Sequence, residues 1–460
     1  MKNSALSEMG QRTAVPPISW LMHAALAHPH LISLAAGFTD NATLPVGLAR
    51  DVLNDILRSS KTGQPALQYG STVGEVRLRQ LTARHLQKLD FQSSSSSSSS
   101  LPKSNVRMSK RTKDEDEIHS PERTMITGGS QQLLYMTLEA LCDSGDIVLV
   151  EDPTYFVFLG ILQSQGIRAR GIRLERDGID LDHLERILEQ LKKSGAIRRV
   201  KALYLVSYFQ NPTGVTTSFA KKAGALKILK KFEPAAGHPI YLLEDAAYRE
   251  LCFGRADLPV SRAERQLGPT ITREKSALMT QGAAGRVIYA GTYSKPFATG
   301  TRVGFGLLPE PVFTAVARIK GNHDFGTSNL LQQLLARALD SGLYDRHVAK
   351  IRKRYGEKAR LMKLAFAEHF PPGVEIWESG GGLYFWVRLP NNISTGLKSK
   401  VFQLALKNDV LYVPGGVCYA DDPARPKPDH EMRISFGSAS ENNIREGIKR
   451  LGEVLRKVLR

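Results

Sequence analysis

The chain has 460 residues, 42% of them hydrophobic and 23% charged. These are the proportions of a globular protein with a sizeable core and room for about two or three domains. Its formal charge of +18 suits an anionic ligand, but Lys and Arg are spread along the whole chain with no basic run interleaved with aromatics, so nucleic-acid binding is not expected. Three distant cysteines, Cys142, Cys252 and Cys418, form no CxxC pair and no disulfide framework, and no metal site is expected. The polar start MKNSALSEMGQR lacks the apolar core of a signal peptide. No stretch approaches the ~20 apolar residues of a membrane span. These absences point to a cytoplasmic protein.

In chain order, the first strong feature is FQSSSSSSSSLPKSNVRMSKRTKDEDEIHSPER, residues 91–123, with eight serines from Ser93 to Ser100. This composition cannot bury enough apolar surface to order itself, and we read it as a flexible insertion. From 124 to about 310, short apolar runs alternate with helical periodicity. TMIT precedes QQLLYMTLEALC, DIVLVED precedes YFVFLGILQSQG, and VKALYLVSYF precedes SFAKKAGALKILKKF. IYLLED precedes AAYREL, and a polar insertion spans roughly 255–284. RVIYAGTYS and TRVGFGLLP follow as further strands. The alternation predicts an α/β fold with a mostly parallel sheet, whose ligands bind at the carboxyl ends of the strands. From about 329, long helices (NLLQQLLARAL, RHVAKIRKRYGEKARLMKLAFAEHF) and two strands (GGLYFWVRLP, EMRISFGS) suggest a smaller α+β domain. The last segment, IREGIKRLGEVLRKVL, carries a core-facing stripe of Ile448, Leu451, Leu455 and Val458. The expected division is an N-terminal segment 1–48 packing with the small domain, a large domain 49–328 and a small domain 329–460.

Four stretches carry candidate chemistry. ITGGSQQ (126–132) places glycines between a strand and a helix, where backbone N–H groups and the helix dipole favour an anion; a plain βα turn reads as well. Asn211 in SYFQNPTGV could simply shape a turn. Asp245 ends an apolar run in YLLEDAAYREL, where it could pair with a cationic ligand nitrogen or cap a following helix. GTYSKPFATGTRVGFG (291–306) offers hydroxyls at Thr292 and Ser294, a single Lys295, and Arg302 seven residues on. Arginine provides a planar fork for phosphate. A lysine beside another cation, or in a dry pocket, becomes nucleophilic.

Together these stretches resemble the class I and II aminotransferases, the fold-type-I enzymes that use pyridoxal 5′-phosphate. The order is the specific part: GGSQQ, EDPTY, NPTG, EDAAY, then SK with its arginine. The resemblance runs from ISLAAG (32–37) to RISFGS (433–438). LQYGSTVGEVRLR, FQNPTG, DAAYREL and YVPGG bring it nearest to the 2-aminoadipate and kynurenine aminotransferase branch. It implies that Lys295 bonds the cofactor as an imine and later shuttles a proton. By the same resemblance, Asp245 holds the proton of the pyridine nitrogen, Asn211 and Tyr248 bind the phenolic oxygen, and Tyr155 stacks on the ring. The phosphate falls to the backbone of Gly129, Ser130 and Gln131 with Thr292, Ser294 and Arg302. Thr292 stands where relatives commonly have serine. Tyr69 is similar to the tyrosine that reaches the phosphate of the other subunit in a homodimer. Arg433 is similar to the arginine that clamps the substrate α-carboxylate, with Gly37 and Asn211 beside it.

One departure bears on substrate. In the aminoadipate branch an N-terminal arginine binds the distal carboxylate. The matching position here is Trp20, and no arginine lies between Arg12 and Arg50. An apolar or aromatic side-chain pocket, partly closed by Trp20, is therefore expected; Trp20 only packing its helix is the alternative. The expected reaction moves an amino group between an L-amino acid and a 2-oxo acid by a ping-pong route. A β-lyase or aminocyclopropanecarboxylate-synthase-like elimination on the same fold would use the same residues. A transcription regulator would need a DNA-binding module ahead of the family-like sequence, which begins by about residue 18, and none is read there.

Overall fold

The computed structural model describes residues 5–16, 19, 30–91, 118–254, 274–423 and 425–459. The serine run, most of the second insertion and Trp20 lie outside the described residues. Strands β1 (Ile32–Ser33), β2 (Thr124–Thr127), β3 (Ile147–Asp152), β4 (Arg168–Glu175), β5 (Gly178–Ile179), β6 (Val200–Val206) and β7 (Tyr241–Asp245) are followed by β8 (Val287–Thr292) and β9 (Gly304–Leu307). Then come β10 (Glu375–Trp377), β11 (Tyr384–Arg388), β12 (Val410–Leu411), β13 (Val413–Pro414) and β14 (Glu431–Ser435).

Among the described residues, eight strands form one sheet in the order β2-β9-β8-β7-β6-β3-β4-β5. The pairs β4–β3, β3–β6, β6–β7 and β7–β8 are parallel, and β9 runs antiparallel between β8 and β2. Strands β3, β7 and β8 are buried at every position. Their runs are continuously apolar until the last residues because both faces of a central parallel sheet are covered. A second sheet has the order β10-β11-β14-β13, all antiparallel, and β1 pairs in parallel with β12.

Helix Glu441–Val458 starts where the Ser440 hydroxyl accepts from Asn443 N at 3.1 Å. Its Ile444, Ile448, Leu451 and Leu455 are fully buried, and the helix packs along the 27-residue helix Leu343–His369. Helix Asn329–Asp340 packs on helices Val46–Leu57, Ser60–Leu67 and Val76–Phe91.

Three readings of the sequence need correction. AAYREL is not a helix: Ala247–Glu250 form turns, and the Asp245 side chain accepts from Ala247 N at 3.1 Å. That local bond offers the backbone an alternative to helical pairing. The insertion read over 91–123 does not reach residue 123, because His119 is buried and bonded to Asp90 at 2.8 Å. The second insertion is shorter than 255–284, because Ser276, Ala277 and Leu278 are buried. Ser276 N and Oγ donate to Asp90 at 2.8 and 2.7 Å.

Candidate active site

The site begins at the carboxyl ends of the parallel strands. Asp245 is the last residue of β7 and only 4% exposed. Its carboxylate accepts from the Tyr204 hydroxyl on β6 at 2.8 Å, as well as from Ala247 N. Burial outweighs both bonds and raises its pKa to about 6. Thr292 is the last residue of β8; its hydroxyl accepts from Ser294 N at 3.0 Å and shapes the turn that carries Lys295. Lys295 Nζ donates to the Gly37 carbonyl at 2.9 Å. Burial, then the Arg433 and Arg302 guanidiniums, lower its pKa to about 8. An amine so placed is neutral far more often near neutral pH than an exposed lysine.

Arg302 sits in the left-handed region at φ 49° and donates from Nη1 to Ser294 Oγ at 3.2 Å. The conformation costs a non-glycine residue about 1–3 kcal/mol and directs its fork at the start of helix Ser130–Leu141. That helix has no side-chain cap, and its N-cap is Gly129 at φ 87°. A Cβ on Gly129 would stand 2.7 Å from Arg302 Nη2. Glycine thus serves both the backbone angle and the close approach. Gly129 N already donates to the Thr127 carbonyl at 2.8 Å, which leaves a cradle of the Ser130 and Gln131 N–H groups, hydroxyls and a guanidinium, complementary to a phosphate.

The opposite wall comes from the four-stranded sheet. Arg433, in the middle of β14, is 1% exposed. It donates from Nη1 to Asn211 Oδ1 at 2.7 Å and from Nη2 to the Ala35 carbonyl at 2.5 Å. Its guanidinium lies 4.4 Å from the Tyr384 ring centre and 5.5 Å from that of Phe156. Arg433 Nε is buried with no hydrogen-bond partner among the described residues. A buried, oriented cation with a free donor is a receptor for a carboxylate. Tyr155, three residues past β3, is half-buried against the core, and desolvation raises its hydroxyl pKa above the ordinary tyrosine value. The Tyr248 hydroxyl lies 3.0 Å from that of Tyr384.

These groups surround one cavity of about 270 Å³. Every site residue read from the sequence lines it except Gly129, Tyr69 and Trp20. Gly129 stands directly behind it against Arg302. Tyr69 is apart, 82% exposed, with its ring edge-on to Phe325 at 5.3 Å. Trp20 lies outside the described residues. The sequence reading did not include Tyr384, Phe38, Leu134, Phe156 or Val157, which also line the cavity. The glycine run before LYFW was the available signal for Tyr384, since closely approaching backbone often accompanies a site.

The family model for aminotransferase class I and II matches residues 29–451. The chain belongs to the class I and II aminotransferases. This aminotransferase is 30% identical over 433 residues to aromatic-amino-acid aminotransferase 1 of Thermococcus litoralis, covering 94% of this chain and 89% of that protein. It is 29% identical to the 2-aminoadipate transaminase of Thermus thermophilus over 431 residues, 94% of this chain and 91% of the other. The crystal structure of Pyrococcus horikoshii kynurenine aminotransferase matches with a TM-score of 0.80 at 29% identity, over 99% of this chain and 98% of that one. The fold is therefore fold type I, and the cofactor is pyridoxal 5′-phosphate. The cavity fits it: an uncapped helix start beside Arg302 for the phosphate, a depressed-pKa lysine for the aldehyde, and a buried carboxylate for the ring nitrogen. No described helix is long and apolar enough to cross a membrane.

Proposed function

We propose that this aminotransferase moves the amino group of an apolar or aromatic L-amino acid to a 2-oxo acid by a ping-pong route, with Lys295 as the catalytic residue. The observation that carries this is the Lys295 amine, partly neutral between two guanidiniums and within the same cavity as a buried carboxylate. The bound cofactor supplies an electron sink for the pair left at the substrate α-carbon. With the cofactor bound, Lys295 would anchor it and would accept the proton from the substrate α-carbon. Asp245 keeps the ring nitrogen protonated. Asn211 and Tyr248 bind the phenolic oxygen, and Tyr155 covers the ring. The Gly129–Gln131 backbone, Thr292, Ser294 and Arg302 hold the phosphate. Arg433 binds the substrate carboxylate beside Gly37, so that amino acid and oxo acid dock identically in turn.

The substrate reading rests on charge. Among the described residues lining the cavity the cations are Lys295, Arg302 and Arg433. All three are committed, which leaves none for a distal carboxylate. The wall beyond them is Phe38, Leu134, Phe156 and Val157. A mainly apolar groove of about 740 Å³ along helix Phe156–Gln165 shares Gln131, Phe156 and Val157 with the cavity and offers room for a large side chain; its own cations are Arg168, Arg170 and Lys427, of which Arg170 and Lys427 are paired with Asp422 and Asp421.

We further propose a homodimer in which Tyr69 reaches the phosphate bound by the partner subunit. Leu67, Tyr69 and Phe325 are 68%, 82% and 58% exposed, an apolar surface suited to burial against a second copy.

The test is single-turnover spectroscopy. A band near ~420 nm should convert to ~330 nm with an amino acid and return with a 2-oxo acid. Ammonia release without that return would instead mark an elimination. Higher kcat/KM for 2-aminoadipate or glutamate than for leucine, phenylalanine or kynurenine would remove the substrate reading. Sedimentation as a monomer would remove the dimer.

A further inference from the structure

Tyr384 opens β11 and is 1% exposed. One face of its ring backs the Arg433 guanidinium at 4.4 Å. Its hydroxyl lies 3.0 Å from that of Tyr248, and the two rings meet edge-on with centres 5.6 Å apart. A Cβ on Gly37 would fall 2.5 Å from the Tyr384 oxygen, so only glycine at that position leaves the hydroxyl its place. We propose that Tyr384 is a positioning residue: its hydroxyl directs the proton of Tyr248 into the cavity, and its ring sets the plane of Arg433. This rests on the roles given above to Tyr248 and Arg433.

Two phenols share one hydrogen between them, and either can donate. Among the described residues, the Tyr384 hydroxyl has no acceptor other than the Tyr248 oxygen. Both phenols line the cavity, and either order leaves one proton without a partner among the described residues, so the role given above to Tyr248 selects the order in which Tyr384 donates. With Tyr384 as donor, the Tyr248 proton is free for a ligand oxygen in the cavity. The donated bond also polarises Tyr248 and strengthens its own donation. The titratable and charged groups around the pair are Lys295, whose Nζ is 6.0 Å from the Tyr248 ring centre, with Tyr155, Arg433, Tyr355 and Asp245. Removing one hydroxyl at Tyr384 leaves all of them in place.

The experiment follows the absorbance of the cofactor-loaded enzyme against pH. Donation by Tyr248 favours the anionic form of the phenolic oxygen, so weakening it makes that oxygen hold its proton to higher pH. Tyr384→Phe should raise the midpoint by about half a pH unit, the order expected for losing one neutral hydrogen bond. It should lower kcat while leaving KM for the amino acid unchanged, because the ring under Arg433 remains. Tyr248→Phe should raise the midpoint further, and the double variant should match Tyr248→Phe alone, because Tyr384 acts through Tyr248. An unmoved midpoint in Tyr384→Phe, or a shift that adds to that of Tyr248→Phe, overturns the proposal. A wild-type protein with no visible band overturns the cofactor-site reading as well, which separates the two failures.

Discussion

Asp245→Asn should leave the cofactor-free protein more stable as pH rises, relative to wild type, even as it damages the enzyme. The folded Asp245 has a pKa of about 6 against an ordinary 3.8, with burial the dominant cause. The folded state therefore binds a proton more tightly than the unfolded chain does. Stability from this group is complete below ~pH 4 and is lost as pH rises from there through about 6. At about 1.36 kcal/mol per unit, the loss is about 1 kcal/mol near ~pH 4.5 and about 3 kcal/mol near ~pH 7. Asparagine carries no such penalty. It does offer only one carbonyl oxygen to two donors, Tyr204 and Ala247, a cost of about 1–3 kcal/mol that does not vary with pH. The decisive quantity is thus the variant-minus-wild-type difference in unfolding free energy, from urea denaturation of the cofactor-free protein. It should rise by about 2 kcal/mol between ~pH 4.5 and ~pH 7. Stopping near neutrality keeps Glu151, which burial pushes up to about 8, protonated in both proteins. A difference that stays constant across that range would refute the reasoning. Pyridoxal phosphate should reverse the sign, stabilising wild type more than the variant, because the buried carboxylate then meets a cation.

Arg433→Lys loses the planar fork and its bonds to Asn211 and Ala35, so kcat/KM should fall by about 10- to 1000-fold, measured by steady-state kinetics. Cofactor loading of the stripped enzyme needs the neutral Lys295 amine, so its rate against pH should have a midpoint near about 8; a midpoint at an ordinary lysine value near ~10.4 would contradict the buried, doubly flanked site. Lys295→Ala should abolish the visible band and turnover. A Cβ at Gly304 would collide with the backbone of Gly129 and Ser130, so Gly304→Ala should weaken cofactor binding, read by spectroscopic titration, far more than it alters the far-ultraviolet dichroism.

Much of this site is legible in sequence because a parallel sheet imposes one rule twice. Strands β3, β7 and β8 must be apolar until their last residues, and the polar residues that close such runs stand near the ligand-binding edge. Asp245 and Thr292 end their runs, and Lys295 follows three residues later. What escaped is long-range or local competition. The burial of His119 depends on Asp90, Arg249 and Ser276, which are scattered along the chain and joined only by folding. AAYREL has a helix-like composition, but the Asp245 carboxylate captures the Ala247 N–H and turns the chain. Tyr384 alternates along a strand like any core residue. Period-two patterning assigns its face but not the Tyr248 hydroxyl opposite it.

The site is built across a seam between two sheets, and that division orders its chemistry. The eight-stranded sheet supplies the strand ends that carry Asp245 and Lys295, with the phosphate cradle beside them. The four-stranded sheet supplies Arg433 and Tyr384. Direct bonds cross the seam: Arg433 to Asn211, Ser379 Oγ to the Gly214 carbonyl at 3.1 Å, and Tyr384 to Tyr248. Asn211 and Gly214 belong to one short loop, so the arginine proposed to receive the carboxylate and the loop proposed to meet the cofactor are aligned by the same few contacts. Substitutions on the strand ends should therefore register first in cofactor binding, and those at Arg433 in substrate discrimination. Changes to the loop itself should disturb both together, because its bonds to Arg433 and Ser379 tie the two halves to each other.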